Sequence, residues 1–412
     1  MKKIAKLSLV AAVAVLGFTS ANAQSLEEAI KNIETSGSVV YRYNDYNGQD
    51  GATIGQTSKD DKGSNNYKVG LNLSSKVNDD VKFNSRFVVG APSQTGTGAP
   101  SQTGTGDAGF ATLDSSDNGD QNVGVELTNA NFAYTGLKNT TVTAGKQGLA
   151  TPWTVALDSD GNEQTGTGIL AMTTVGPVTL AGAYFNQTNL NNSAVDLNGS
   201  TNGNGLDGSD DIATVGAITT LGPVTADAWF LDMKDVFDSY TIGAKAAAEL
   251  SGVKLGVDAR WASLTFDGPN EEANTIAKIA LTADAGLVDG KLAYATTDKD
   301  GGVTALDADA NTTLLGWNLN ALDKNDADYW QAVLGFDILS NLNLSANYGN
   351  LQYVNNSDED MEDEEIYAQL LYKMSKNLTT YVRYGELTRE NTTANTTQTD
   401  GTVGRLQVEY TF

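Results

Sequence analysis

The chain ends Arg405-Leu406-Gln407-Val408-Glu409-Tyr410-Thr411-Phe412. Side chains alternate across an extended strand. Leu406, Val408, Tyr410 and Phe412 therefore share one face, and Arg405, Gln407, Glu409 and Thr411 share the other. An apolar face backed by a charged one fits a strand that stands between lipid and water. The final residue is aromatic, the usual end of a bacterial outer-membrane barrel.

The opposite terminus points the same way. Lys2, Lys3 and Lys6 precede an apolar run at 7–18, and Ala21-Asn22-Ala23 has the small-x-small pattern of a cleavage site. Residues 1–23 are expected to be a secretory signal peptide. Cleavage would leave 412 − 23 = 389 residues. Residues 24–35 are expected as a short periplasmic helical segment, because Ser25 and Glu28 have capping-box spacing. Residues 36–412 are expected to form the barrel.

Lys and Arg number 26 against 51 Asp and Glu. The signal holds three lysines and no acid, so the mature balance is 23 − 51 = −28. Such a surface suits cations and excludes nucleic acid, which requires basic groups against its phosphates. Histidine and cysteine are both absent. That removes disulfides, thiolate or imidazole metal sites, and any histidine general base.

Alternating runs recur along the chain, separated in turn by short turns and long polar loops. We read them as about 18 antiparallel strands of roughly ten residues, an all-β transmembrane up-and-down β-barrel. The first strand is expected at 36–46 and the last at 401–412. Every short turn falls at one end, beginning with Asn78-Asp79-Asp80, and nearly every long loop at the other. The stretch 312–319 looks strand-like but breaks this parity, so it is assigned to an extracellular loop. Val69, Leu71, Leu73, Phe83, Phe87, Leu255, Val257, Trp261, Trp330, Leu334 and Phe336 are expected to face lipid. Lys68, Asn72, Lys254, Asp258, Arg260 and Asp337 are expected to line a wet lumen. A soluble sandwich would have to cover its apolar face with a second sheet. Tyr41, Tyr43, Tyr184, Tyr348, Tyr372, Tyr384 and Tyr410 are expected in interfacial girdles. An eight-residue unit, APSQTGTG, occurs twice in tandem at 91–106. It lies in a polar loop, where insertions cost little, and no chemistry is attached to it.

The constellation with most chemical content is a set of lumen-facing bases expected at mid-height. They are Arg42 on the first strand, Lys82 and Arg86 on the third, and Arg383 and Arg405 on the last two. Barrel closure makes these strands neighbours. The fifth strand leads into a loop holding Asp158, Asp160 and Glu163. Folded inward as a constriction loop, it would set acids against bases and orient dipolar solutes in a narrow aqueous path. Folded outward, it would leave the bases as ordinary lumen residues. The run Asp158-Ser159-Asp160-Gly161-Asn162-Glu163 also has part of a calcium loop, as has Asp298-Lys299-Asp300-Gly301, though neither has the full ligand spacing. A hard-cation site could combine Asp158 and Asp160 with Glu126 and Asp258 from the wall. No cofactor is otherwise expected. Residues 355–365 are read as a solvated acidic loop at the outer face.

The sequence resembles the major outer membrane porins of Campylobacter and its relatives. The resemblance is carried by Leu26-Glu27-Glu28-Ala29-Ile30-Lys31, Ser36-Gly37, Tyr41-Arg42-Tyr43, Ala144-Gly145-Lys146-Gln147 running into Trp153, and Phe412. It implies an 18-stranded, water-filled, cation-preferring homotrimer in the bacterial cell outer membrane, with a divalent ion near the constriction. The expected function is a non-enzymatic general diffusion porin for ions and small hydrophilic solutes. Two alternatives stay open: a substrate-specific outer-membrane channel, and a surface adhesin whose barrel only displays loops.

Overall fold

The computed structural model describes residues 32–49, 62–90, 111–112, 125–159, 161, 163–190, 206, 208–267, 273–299 and 301–412. The signal peptide and the tandem repeat lie outside these residues. The first strands are β1 (Glu34–Gln49), β2 (Lys62–Lys76), β3 (Val81–Val89), β4 (Ala111–Thr112), β5 (Val125–Leu137) and β6 (Thr140–Gly148). There follow β7 (Thr165–Val175), β8 (Val178–Thr188), β9 (Ile212–Leu221), β10 (Val224–Met233), β11 (Phe237–Leu250), β12 (Val253–Phe266) and β13 (Ala273–Asp284). The last are β14 (Val288–Thr297), β15 (Asn325–Leu339), β16 (Leu342–Val354), β17 (Asp360–Lys373), β18 (Leu378–Asn391) and β19 (Thr396–Thr411). β4 is a two-residue piece hydrogen-bonded to β2 at Asn66 and Tyr67. The other eighteen pair antiparallel in a closed ring, with β19 on β1.

Closure leaves no edge strand, the condition for a sheet in hydrocarbon. The seam is pinned at its periplasmic end by Gly37 N–H donating to Phe412 O (2.9 Å) and Phe412 N–H donating to Gly37 O (3.0 Å). Gly37 is needed for its size. A Cβ there would stand 2.2 Å from Gly70 O and 2.7 Å from the Phe412 ring. The terminal aromatic thus lies over a glycine on the outer face.

Alternation places the outer face as expected. Phe83, Trp330, Leu334, Phe336 and the seven tyrosines point outward, and Lys68, Arg86 and Arg260 point inward and are buried. Short turns join β2–β3, β5–β6, β7–β8, β9–β10, β11–β12, β13–β14, β15–β16 and β17–β18 at one end. Asn139, Ser251, Gly176 and Gly222 take positive φ in four of them, which tight two-residue hairpins require.

Two expectations change, and a third is refined. Of the helical segment 24–35, only the end is described, and Glu34 and Thr35 are already strand, paired with Ser74 and Leu73. Their main-chain groups are satisfied by the sheet rather than by a helical turn. The acidic loop at 355–365 is only a turn at 355–359, with β17 beginning at Asp360. Asp363 and Glu365 point inward and are buried, because strand alternation continues through the acidic run. Residues 312–319 form no strand beyond an isolated bridge from Leu315 to Asn320. They belong to the β14–β15 loop, in keeping with the assignment to a loop rather than a strand, and that loop folds into the barrel.

The interior carries an apolar core that a simple wet barrel would lack. Trp153, Val303, Leu306 and Leu322 from two long loops pack on Phe185, Ile212, Leu231, Met233, Phe237, Leu264 and Phe266 of the wall. Next to it, Leu314 and Leu319 pack on Ile276, Tyr329, Leu351, Leu387 and Val403. This packing seats both loops inside the lumen, against the wall from β8 round to β19.

Candidate constriction site

The first loop spans 149–164, between β6 and β7, and folds inward. Its two feet are tied together: Leu149 N–H donates to Gln164 O (2.9 Å) and Gln164 N–H to Val155 O (2.8 Å). The Thr154 hydroxyl donates to Leu149 O (2.5 Å), and Val155 N–H to Gln164 Oε1 (3.0 Å). Trp153 is fully buried under this turn. Asn189 locks the exit, donating to Glu163 O (2.8 Å) and accepting from Thr165 N–H (2.7 Å).

Glu163 meets the wall. Arg86 of β3 holds its carboxylate by Nε to Oε2 (2.8 Å) and NH2 to Oε1 (2.5 Å). This is the two-pronged pairing that suits a guanidinium to a carboxylate. Arg86 NH1 also donates to Asn72 Oδ1 (2.9 Å). Gly70 on β2 makes room for this, since a Cβ there would stand 2.4 Å from Arg86 NH2. Lys68, also on β2, approaches Glu163 Oε1 at 3.0 Å. Its Nζ also donates to the main-chain oxygens of Asp158 and Gly161, each at 2.6 Å.

The second inward loop spans 298–324, between β14 and β15. It clasps the first: Leu306 N–H donates to Trp153 O (2.8 Å), and Gln164 Nε2 donates to Leu306 O (2.7 Å). On β17 Glu365 accepts from Trp317 N–H (2.9 Å) and Asn318 N–H (2.7 Å). Lys278 donates to Thr313 O (2.5 Å) and Gln331 to Leu315 O (2.8 Å). Burial pushes the Asp307 carboxyl of this loop up to about 6, although the Asp309 and Ala308 amides oppose the shift.

Trp317 is thereby set against the wall of arginines. Arg383 and Arg405 are direct cross-strand partners. Their guanidinium carbons lie 5.7 and 5.8 Å from the Trp317 ring centre. Arg383 also sits 4.5 Å over the Tyr381 ring. Each arginine has an amide partner: Arg383 donates to Gln369 (2.6 Å), Arg405 to Asn44 (2.7 Å) and Arg42 to Gln407 (2.8 Å). Aromatic faces and amide oxygens together let two like charges stand side by side.

The predicted bases therefore divide. Arg42, Arg383 and Arg405 share one patch. Arg86 belongs to the loop anchor on the neighbouring strands. Lys82 does not stand at mid-height: it lies beside the periplasmic turn, opposite Lys76, and meets Glu34 at 3.4 Å. Its place follows from β3 beginning at Val81, which puts Lys82 at the bottom of the wall. Lys68, read only as a lumen lining, holds the centre of the anchor. The loop 298–324 and Glu365 were missed as parts of the narrowing.

Of the four expected metal ligands, the three that are described do not come together. Glu126 and Asp258 stand on opposite walls, β5 and β12, and Asp258 pairs with Lys245 at 2.9 Å. The Asp158 carboxylate lies back over its own loop, with Oδ2 2.2 Å from where a Gly161 Cβ would be. Asp160 lies outside the described residues. Among the described residues no three carboxylates are grouped to hold a metal ion. The described side chains among them do not fit the implied divalent ion.

The family model described as Campylobacter major outer membrane protein matches residues 1–412. No curated protein matches the chain. Among solved structures, Acinetobacter baumannii OccAB3 is similar at a TM-score of 0.70 and 14% identity, over 93% of this chain and 99% of that one. Pseudomonas aeruginosa OpdL is similar at 0.69 and 15%, over 93% and 99%. Pseudomonas aeruginosa OccK2 (OpdF), solved in complex with glucuronate, is similar at 0.67 and 14%, over 93% and 98%. At these identities the likeness is one of fold.

Proposed function

The chain belongs to the Campylobacter major outer membrane protein family of outer-membrane porins, and on that premise we propose that it is a passive, non-enzymatic diffusion channel for ions and small hydrophilic solutes. The observation that carries this reading is the pair of loops folded into the barrel and pinned to its wall at Glu163 and Glu365. A displayed adhesin has no use for a narrowing built from the inside. A path lined by Arg42, Arg383 and Arg405 and narrowed by two inward loops can sieve by size and charge without a bound cofactor. The acidic excess of the whole chain favours cations at the mouths. The family resemblance favours a homotrimer. Histidine and cysteine are absent from the sequence, and no side chain is assigned a catalytic role.

A second reading has a specific observation behind it. Arg42, Arg383 and Arg405 stand on adjoining strands beside Trp317, a surface that suits a carboxylate joined to a planar or ring-shaped body. OccK2, similar in fold, was solved with glucuronate. On this reading the channel selects organic acids. Swelling of liposomes that carry the purified protein separates the two. General diffusion gives rates that fall smoothly with solute size for uncharged sugars. A selective channel passes one class of organic acid faster than sugars of the same size, and that result would replace the general reading.

A further inference from the structure

We propose that the ammonium of Lys68, rather than a bound divalent ion, is the cation on which the inward loop 149–164 is seated. The described carboxylates that could have gathered round such an ion do not gather. What gathers instead is loop oxygen around a lysine. Asp158 O and Gly161 O each lie 2.6 Å from Lys68 Nζ, and Glu163 Oε1 lies 3.0 Å away. A lysine ammonium has three N–H donors and no acceptor, so these three oxygens match its whole capacity. The side chains of Lys68 and Glu163 are 2% and 4% exposed, so the contact is shut off from bulk water.

Main-chain carbonyls and a carboxylate are the oxygens that calcium also takes, but calcium needs about six to eight of them. The nest offers three, drawn in around an ammonium. Arg86 brings a second positive charge to the same carboxylate. Lys68 and Arg86 both face Glu163, so its carboxylate is already engaged by two cationic groups of the wall. The loop is held by charge that the chain carries itself. Lys68 is thus a positioning residue: it acts through the loop and shapes the narrowing whichever ions cross it.

The test uses the full-length protein in detergent and in planar bilayers. Wild-type protein stripped with EDTA is titrated with calcium chloride by calorimetry, and its single-channel conductance is recorded in excess EDTA and in calcium. The expected result is no binding that Glu163→Gln abolishes, and the same conductance in both solutions. Lys68→Met keeps the length of the stem and removes the charge, so a mere packing role would leave the conductance unchanged. A seating role predicts a change of at least about twofold with flickering, from a loop whose three oxygens have lost their donor. Heat-modified gel mobility checks that the variant barrel is folded. A calcium site lost in Glu163→Gln, an EDTA-dependent wild-type conductance, or a folded Lys68→Met with wild-type steps would each overturn the proposal. If Lys68→Met does not fold, the calcium titration decides alone. If the wild type conducts nothing, the diffusion reading falls while the titration still reports on Lys68.

Discussion

Arg86 and Glu163 are 77 positions apart in the chain and meet through two charge-assisted hydrogen bonds, 2.8 and 2.5 Å long, with both side chains almost wholly buried. One is a wall residue and the other ends a loop. Their pairing fixes how far that loop reaches into the lumen. Removing one partner of a buried pair costs about 3–5 kcal/mol, chiefly because the other is left uncompensated. Arg86→Ala and Glu163→Gln should each broaden single-channel conductance and raise its mean. The Arg86→Ala, Glu163→Gln double variant should fall well short of the sum of the singles, as expected for residues in one network. Additive effects would mean that the pair does not seat the loop.

Glu365 should play the matching part for the second loop. It accepts from the amides of Trp317 and Asn318, and hydrogen bonds to a charged group contribute roughly 1.5–3 kcal/mol each. Glu365→Ala should speed hydrogen exchange at those two amides by at least about tenfold, which is 1.4 kcal/mol, while β17 stays protected. Unchanged exchange would show that Glu365 does not anchor the loop.

The fold was legible in the sequence to different depths. The period of two from Leu406 to Phe412 identified the barrel, and the short turns gathered at one end as expected. Those signals are local, and the lipid face enforces them in every strand. The filled interior was not legible in the same way. Near the extracellular ends of β10 and β12 the alternation lapses: Trp229-Phe230-Leu231 and Leu264 with Phe266 are apolar on the inward side too. That lapse is the trace of Trp153, Leu306 and Leu322 packing from inside, and a strict two-faced reading passes over it. Lys68 was placed in the lumen, but its partners are main-chain oxygens of a loop 90 residues away, which no side-chain pattern reveals. Asp363 and Glu365 were hidden in an acidic run that looked like a solvated loop.

The Asp307 carboxyl supplies a pH dependence. Its pKa is raised by burial from 3.8 to about 6, so the folded loop holds the proton more tightly than the unfolded chain does. Between those values the folded state binds more protons, and stability falls as pH rises. The packing of loop 298–324 should be firmest below about pH 4, weaken up to about pH 6 and then level off, by at most about 3 kcal/mol. Channel noise should rise over the same window. Asp307→Asn should abolish the slope. A slope of the opposite sign, or one that survives the substitution, would contradict this assignment.

The barrel seam makes a separate prediction. Gly37→Val would drive a side chain into Gly70 O and the Phe412 ring. The folded, heat-modifiable form should be lost from gels or much reduced. Phe412→Ala should be milder, because it removes ring contacts but keeps the main-chain pair between Gly37 and Phe412. Equal effects from the two substitutions would mean that the ring, not the close approach at Gly37, carries the seam.

The most direct test of the account is the reversal potential of single channels of the purified protein in a planar bilayer under a potassium chloride gradient. The account predicts discrete, long-lived open steps with a reversal potential on the cation-selective side. Anion selectivity would mean that Arg42, Arg383 and Arg405 govern the path and would contradict cation-favouring diffusion. Silence across many insertions would contradict an open channel altogether.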